Sequence, residues 1–200
     1  MARPREFDEE AVLDRALALF WARGYESTSI DDLVRETGLG RASLYGAFGD
    51  KEALFRRILE RYQARAMAQA EKVLTEPSAL RALQRLTEAN IENACPSDGP
   101  RGCLTTLTAS LPGPQDERTR ALVETAIRDT EQFFTRLVKR GQAEGEITTR
   151  ESAASLGRYL LVTMQGIATA ARMGRPKREL KEVAAQALSL LEAKQGERIT

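Results

Sequence analysis

Apolar residues recur every three to four positions along almost the whole chain, which is the spacing that one buried face of an α-helix requires. The first run, which contains Val12, Ala16 and Phe20, follows acidic residues that favour a helix start, and it stops at Gly24. Similar runs continue towards the C-terminus and predict about nine helices and no convincing strand. We therefore predict an all-α fold.

Two short helices near the N-terminus follow each other closely. The first of them is predicted from about Ile30 to Thr37, with Ser29 or Thr28 as its N-cap, and the other runs from Arg41 to Phe48. The sequence Gly38-Leu39-Gly40 separates them and predicts a tight turn, because glycine adopts the left-handed conformation that such a turn needs. This is the spacing of a helix-turn-helix, whose second helix enters the major groove of DNA.

The next helix is predicted to be long, from Asp50 to about Leu74, so that it crosses from a first module into a second. Pro77 fits the first turn of the helix after it, and Thr148 with Glu151 fits a capping box that starts the eighth helix. We expect a helix-turn-helix domain at residues 1–50 and a second helical domain at residues 51–200.

Composition narrows the possible functions. The chain has no histidine, which removes Ser-His-Asp catalysis and histidine metal sites, so we expect no enzyme, cofactor or metal. No apolar run approaches the roughly 20 residues of a membrane span, and the N-terminus lacks the apolar core of a signal peptide. We therefore expect a cytoplasmic protein with no membrane partner. The two cysteines, Cys95 and Cys103, are too few for a disulfide framework.

The stretch from Ala16 to Phe55 resembles the DNA-binding domain of the tetracycline-repressor (TetR) family. The matching motifs are Gly24-Tyr25, Thr28-Ser29-Ile30, Gly38-Leu39, Leu44-Tyr45 with Phe48, and Lys51-Glu52-Ala53-Leu54, together with Ala16 and Phe20 on the first helix. The chain departs from the family pattern at Gly40, where a serine is common, and at Gly46 and Ala47, where an aromatic residue and a histidine are frequent. The resemblance implies a transcriptional repressor that binds double-stranded operator DNA as a homodimer. Residues 1–50 would then be its DNA-binding domain and residues 51–200 its helical ligand-sensing and dimerisation domain.

The resemblance also implies which residues meet DNA. The recognition helix would present Arg41, Ala42, Ser43 and Tyr45, phosphates would meet Thr28 and Lys51, and Arg3 and Arg5 would form an arm that reaches an adjacent groove. Residues 1–60 nevertheless carry nine Lys/Arg and twelve Asp/Glu, a net charge of −3. A DNA-binding domain is usually basic, so we expect the acids to point away from the DNA.

Apolar stripes on the last two helices predict an isologous four-helix dimer interface. Its residues are Leu156, Tyr159, Leu160, Thr163, Ile167, Leu180, Val183, Ala187, Leu188 and Leu191. A small, neutral or weakly polar organic effector is expected among helices four to eight, and it would release the repressor from a palindromic operator. Its predicted walls are Tyr62, Met67, Leu104, Leu107, Phe133, Leu137 and Met164.

Two other functions stay open at this point. A redox-sensing regulator of the same fold would use Cys95 and Cys103, which stand at the two ends of a loop rich in proline and glycine. A helical protein that binds other proteins would show no sequence-selective affinity for DNA.

Overall fold

The computed structural model describes residues 7–97, 102–110 and 116–193, and within these ranges it contains nine α-helices. They are α1 (Glu9–Arg23), α2 (Ile30–Thr37), α3 (Arg41–Phe48), α4 (Lys51–Glu71), α5 (Ala79–Ala94), α6 (Leu104–Ser110), α7 (Glu117–Ala143), α8 (Ala153–Arg172) and α9 (Lys177–Ser189). The only extended pairing in these ranges is an isolated bridge between Ile147 and Glu192. The predicted all-α fold is confirmed.

Short polar side chains cap the starts of α1, α2 and α4. Asp8 accepts hydrogen bonds from the amides of the first turn of α1, and Asp50 does the same for Ala53 in α4. Ser29 and Asp32 form a reciprocal capping box on α2. Of the two N-caps considered for α2, the structure selects Ser29.

Three predicted helix boundaries are wrong. Helix α4 ends at Glu71, and the rest of its predicted length is a turn of 3-10 helix from Lys72 to Thr75. Pro77 lies ahead of Ser78, the residue that caps α5, and so stands outside that helix.

The third error concerns the predicted capping box at the start of α8. The helix begins at Ala153 behind Ser152, whose side chain accepts from the Ser155 amide. Thr148 instead belongs to the extended segment between α7 and α8, where its amide donates to the carbonyl of Leu191 at 2.8 Å. Pairing with the chain's distant C-terminal segment overrides the local capping signal.

We call residues 7–50 the head and residues 51–193 the body. The core of the head surrounds Phe20, which is fully buried and stacks on Tyr25 while meeting the edge of Phe55 from α4. This core continues into the body through Leu104, Leu107 and Val123. Helix α4 therefore shares its first half with the head and connects it rigidly to the helices behind.

The body packs around α7 and α8, which run side by side. Gly157 makes this close approach possible, since a Cβ atom at that position would lie 2.3 Å from the Thr135 hydroxyl. Two clusters of buried apolar residues result. One surrounds Phe133 and Phe134 between α5, α7 and α8, and the other lies between α5, α8 and α9. Within the described ranges, no helix is long and apolar enough to cross a membrane.

Candidate DNA-binding surface

The turn between α2 and α3 has the geometry that the sequence predicts. Gly38 is left-handed, with φ 73° and ψ 6°, and its amide donates to the Val34 carbonyl at 3.0 Å. Leu33 and Leu44 are buried at the crossing of the two helices, and Leu39 packs against the same core. These contacts fix the angle between α2 and α3, and they leave the opposite face of α3 in solvent.

The exposed face of α3 is formed by the four residues predicted for the recognition helix. Arg41, Ala42, Ser43 and Tyr45 are all exposed, and the ring of Tyr45 remains 40% accessible. Because Gly40 carries no side chain, no side-chain hydrogen bond caps the first turn of α3. The helix thus offers a guanidinium, two hydroxyls and its first-turn amides on one side.

Arg41 has a partner that the sequence analysis missed. Its guanidinium lies 2.5 Å from the carboxylate of Asp31 in α2, and this hydrogen bond raises the pKa of Arg41. Asp31 and Arg41 are ten positions apart, so the pair becomes visible only when the turn brings α2 and α3 together. The carboxylate holds one side of the guanidinium and leaves its other donors available.

Thr28 and Lys51, predicted to meet phosphates, are placed differently from the residues of α3. The Thr28 side chain is buried, and its hydroxyl donates to the Gly24 carbonyl at 2.7 Å. The Lys51 ammonium lies 4.1 Å from the centroid of the Tyr25 ring, and partial burial lowers the pKa of this lysine. In this conformation Thr28 supports the α1–α2 connection and presents no hydroxyl to solvent. Arg3 and Arg5 lie outside the described residues.

The acids of α1 are paired with arginines of α4. Arg61 binds both Glu10 and Asp14, the latter at 2.7 Å, and Arg65 binds Asp14 at 2.8 Å. The hydrogen bond from Arg61 lowers the pKa of Asp14. Glu10 and Asp14 therefore face α4, in line with the expectation that the acids point away from the DNA. Asp31 departs from that expectation, because it binds Arg41, the one charged side chain of α3.

The residues predicted to line an effector pocket fall into two groups. Leu104, Leu107 and Tyr62 pack on the head's core, whereas Phe133, Leu137, Met67 and Met164 belong to a separate cluster of the body. The Tyr62 hydroxyl donates to the Cys103 sulfur at 3.5 Å. Nearby positions supply polar atoms that the prediction missed, since Gln63 Nε2 and Thr87 Oγ1 are buried without a hydrogen-bond partner.

A cleft in the described surface lies elsewhere, at the far end of the body. Its lining consists of Ser78, Leu80, Glu144, Gly145, Glu146, Glu192 and Ala193. Glu146 is already engaged there, because its carboxylate accepts from the Ser78 hydroxyl at 2.9 Å and the Leu80 amide at 3.0 Å. The cleft shares no residue with the predicted effector walls.

Most of the predicted dimer stripe is used inside the single chain. The buried members are Leu156, Leu160, Ile167, Leu180, Ala187, Leu188 and Leu191. They are unavailable to a partner because α8 and α9 pack these faces on α5 and α7 and on each other. Tyr159 and Val183 are exposed and Thr163 is half-buried, and beside them the structure exposes Val162 and Leu190, which were not predicted.

The fold and this surface define a helix-turn-helix DNA-binding protein with a large helical body. A family model described as bacterial regulatory proteins, tetR family, matches residues 12–58, and one described as tetracyclin repressor-like, C-terminal domain, matches residues 78–187. The chain belongs to the TetR family of transcriptional regulators, which are DNA-binding transcription factors and not enzymes.

Individual relatives agree with this assignment. The chain is 33% identical to the HTH-type transcriptional repressor ComR of Escherichia coli (strain K12), over 94% of this chain and 90% of ComR. It is similar to a cysteine mutant of the TetR family transcriptional regulator CifR complexed with 26-bp double-strand operator DNA, with a TM-score of 0.85 and 29% identity over 95% of this chain and 100% of that one. The reduced form of E. coli NemR shares the fold, with a TM-score of 0.80 and 18% identity over 93% and 97% of the two chains.

Proposed function

We propose that the protein is a repressor that binds a near-palindromic operator as a homodimer and leaves it when a small organic effector binds the body. The exposure of Arg41, Ser43 and Tyr45 on α3 carries the DNA-binding part of this proposal. A long guanidinium donor at the start of a recognition helix suits bidentate contact with guanine. The arm with Arg3 and Arg5, and Lys51 at the start of α4, would add phosphate and groove contacts.

Selecting bound sequences from random duplex DNA identifies the operator. Arg41→Ala should then lower the preference for operator over a single-base variant by about tenfold or more, because one base-reading contact is lost. Arg35→Ala is the matched control, since Arg35 is an exposed arginine of α2 that pairs with Asp32. Equal discrimination by Arg41→Ala and wild type would refute the assignment of α3 as the reading helix.

The dimer face is proposed on the exposed sides of α8 and α9. Tyr159, Val162, Val183 and Leu190 are large apolar side chains left in solvent by the single chain, and Val162 is 61% accessible. Solvent-exposed apolar patches of this kind mark association surfaces. Two copies of this face would form an isologous four-helix interface.

Light scattering tests the dimer directly. Val162→Asp with Val183→Asp should give a monomer at micromolar concentration, because the dimer interface would have to bury four carboxylates, two from each copy. Ser155→Asp is the control, as Ser155 is an exposed residue in the first turn of α8. A wild-type protein that is monomeric, or a double variant that remains dimeric, would contradict this interface.

Effector binding is proposed among helices α4 to α8, with the domains divided near residue 50. The predicted walls belong to two clusters that both include residues of α4, and Gln63 Nε2 and Thr87 Oγ1 would give an effector polar partners inside an apolar surround. Tilting the C-terminal half of α4 would move its N-terminal end against the head. A glycine pair at Ala66 and Ala68 should uncouple release from DNA, measured by fluorescence anisotropy with a panel of neutral aromatic and aliphatic compounds. Normal release by that variant would exclude α4 as the transmitting element.

A thiol trigger is the second candidate, and one contact favours it. The Gly102 amide donates to the Ala94 carbonyl at 3.1 Å, so the backbones beside Cys103 and Cys95 lie together although both cysteines are free. Burial raises the pKa of the Cys95 thiol, which disfavours its thiolate. Peroxide should then abolish operator binding by wild type and spare Cys103→Ser. Unchanged binding with both thiols still titratable would eliminate this candidate.

A further inference from the structure

Helix α8 reaches the head through its last residue. The Arg172 guanidinium donates from Nη1 to the Trp21 carbonyl at 2.7 Å and from Nη2 to the Ala22 carbonyl at 3.0 Å. These carbonyls belong to the last turn of α1, where a helix has no amides of its own left to satisfy them and where its dipole is negative. A planar cation with parallel donors fits this position, and it joins residues about 150 positions apart.

The same turn of α1 is also a contact point for α4. The Trp21 ring meets the Tyr62 ring edge-on, with centroids 5.1 Å apart, and the Tyr62 hydroxyl continues to Cys103. The side chain of Trp21 thus touches α4 while its carbonyl is held by α8. Helices α4 and α8 of the body therefore both contact Trp21 of the head.

On the other side, Arg172 is held by the segment before α6. A Cβ atom on Gly102 would lie 2.6 Å from the Ala168 carbonyl and 3.3 Å from Arg172 Cβ, so this glycine is pressed against the last turn of α8. Gly102 also has a φ of 71°, and its amide is fixed to Ala94 at the end of α5. The end of α8 is therefore set by α5 and the segment leading into α6.

We infer that Arg172 is a positioning residue for DNA binding, which fixes the orientation of the head on the body through α1, independently of α4. In a dimer this contact would set the distance between the two α3 helices, and major-groove recognition by a symmetric dimer depends on that distance. The effect on the distance between the two α3 helices rests on the proposed function as a dimer. The contact of Arg172 with α1 can be measured in the protein without DNA.

The free protein offers a direct probe, because Trp21 is the only tryptophan in the chain. Arg172→Gln removes the paired donors, so Trp21 emission and its quenching by acrylamide should change. Arg158→Gln is the matched control, an arginine of α8 that pairs with Glu131 of α7 and should leave Trp21 unchanged. Identical Trp21 signals in wild type and Arg172→Gln would overturn the inference, whether or not the protein proves to be a dimer.

Operators with altered half-site spacing test the consequence for DNA. Arg172→Gln should bind the selected operator about tenfold more weakly, and it should lose much less on duplexes lengthened or shortened between the half-sites. A uniform loss at all spacings, in step with a lower melting temperature, would show a merely structural role and overturn the inference. If Arg172→Gln does not fold, Arg172→Lys serves instead, since lysine reaches one carbonyl and should give a smaller change of the same kind. A wild type without spacing preference would contradict the proposed dimer, while the Trp21 result would still decide the contact.

Discussion

The head and the body are packed on different principles. Every ring–ring contact among the described residues includes a residue of the head, and the buried hydroxyls of Thr28 and Thr37 both donate to carbonyls. The body is mainly aliphatic, and in the described ranges the buried side-chain atoms without a hydrogen-bond partner all belong to it. This contrast fits the proposed function, in which the head reads DNA in one conformation and the body leaves polar atoms for an effector.

The largest expected difference comes from the aromatic core. Phe20→Ala should lower the free energy of unfolding of the head by about 3–5 kcal/mol, because it removes the ring on which Tyr25 and Phe55 pack. Thermal denaturation should show a separate early transition, and operator binding should be lost while light scattering still reports the wild-type assembly. Retained operator binding by Phe20→Ala would mean that the ring cluster does not organise the head.

The ion pair between α4, whose first half packs with the head, and the start of α7 gives the next effect. Arg56 of α4 binds Asp116, the N-cap of α7, at 2.9 Å, and both side chains are only about one-fifth exposed. Asp116→Asn keeps the capping acceptor and removes the charge, so it should lower the free energy of unfolding by about 1–2 kcal/mol. Glu131→Gln, which breaks the more exposed pair with Arg158, should change it by less than about 0.5 kcal/mol. Equal effects in chemical denaturation would show that the Arg56 pair does not hold α4 against the start of α7.

Buried threonines test the difference in polar pairing. Thr28→Val in the head breaks a buried hydrogen bond and should lower the free energy of unfolding by about 1 kcal/mol or more. Thr87→Val in the body removes a hydroxyl that has no partner, so stability should be unchanged or slightly higher. Losses of equal size in both variants would mean that the head and the body do not differ in the pairing of their buried hydroxyls.

The smallest effect is an acid response of the head. Hydrogen bonds from Ser29 lower the pKa of Asp32 to about 2, so the capping box stabilises α2 above about pH 4 and loses this contribution as the pH falls towards 2. Melting temperatures between pH 5 and pH 2 should fall less steeply for Asp32→Asn than for wild type. In the body, hydrogen bonds from Lys177 and Lys181 lower the pKa of Glu92 to about 2. The melting temperature of Glu92→Gln should therefore also fall less steeply than that of wild type between pH 5 and pH 2. If Asp32→Asn leaves the slope of melting temperature against pH unchanged, the Ser29–Asp32 capping box is not a source of acid sensitivity.

Local signals in the sequence were enough for the head and insufficient for the body. Asp8, Ser29, Asp50 and Gly38 act within a few residues of their own positions, so the helices and the turn of the head could be predicted from them. The stripe through Leu160 and Leu188 has correct helical spacing, but periodicity does not say which neighbour covers an apolar face. Both residues pack inside their own chain.

The sequence pattern likewise does not show which side chains become partners. Asp31 and Arg41, or Arg172 and Trp21, meet only after the chain has folded, and no spacing rule connects them. The DNA-contacting residues of α3 could be proposed from the sequence because a resemblance in one continuous stretch supplied their roles, and the structure shows these residues exposed. The effector walls were chosen for apolar character alone, which does not separate one cluster of the body from another.

The pairing of α1 acids with α4 arginines bears on how the regulator shares its time between the operator and the rest of the genome. Arginines held by Glu10 and Asp14 displace no counterions from DNA, so they add little to affinity for arbitrary sequence. Chromosomal DNA, which offers a very large number of competing sites, then withdraws fewer copies of the regulator from its operator. The same ion pairs that tie the head to α4 would thus lower the number of molecules needed to occupy one operator.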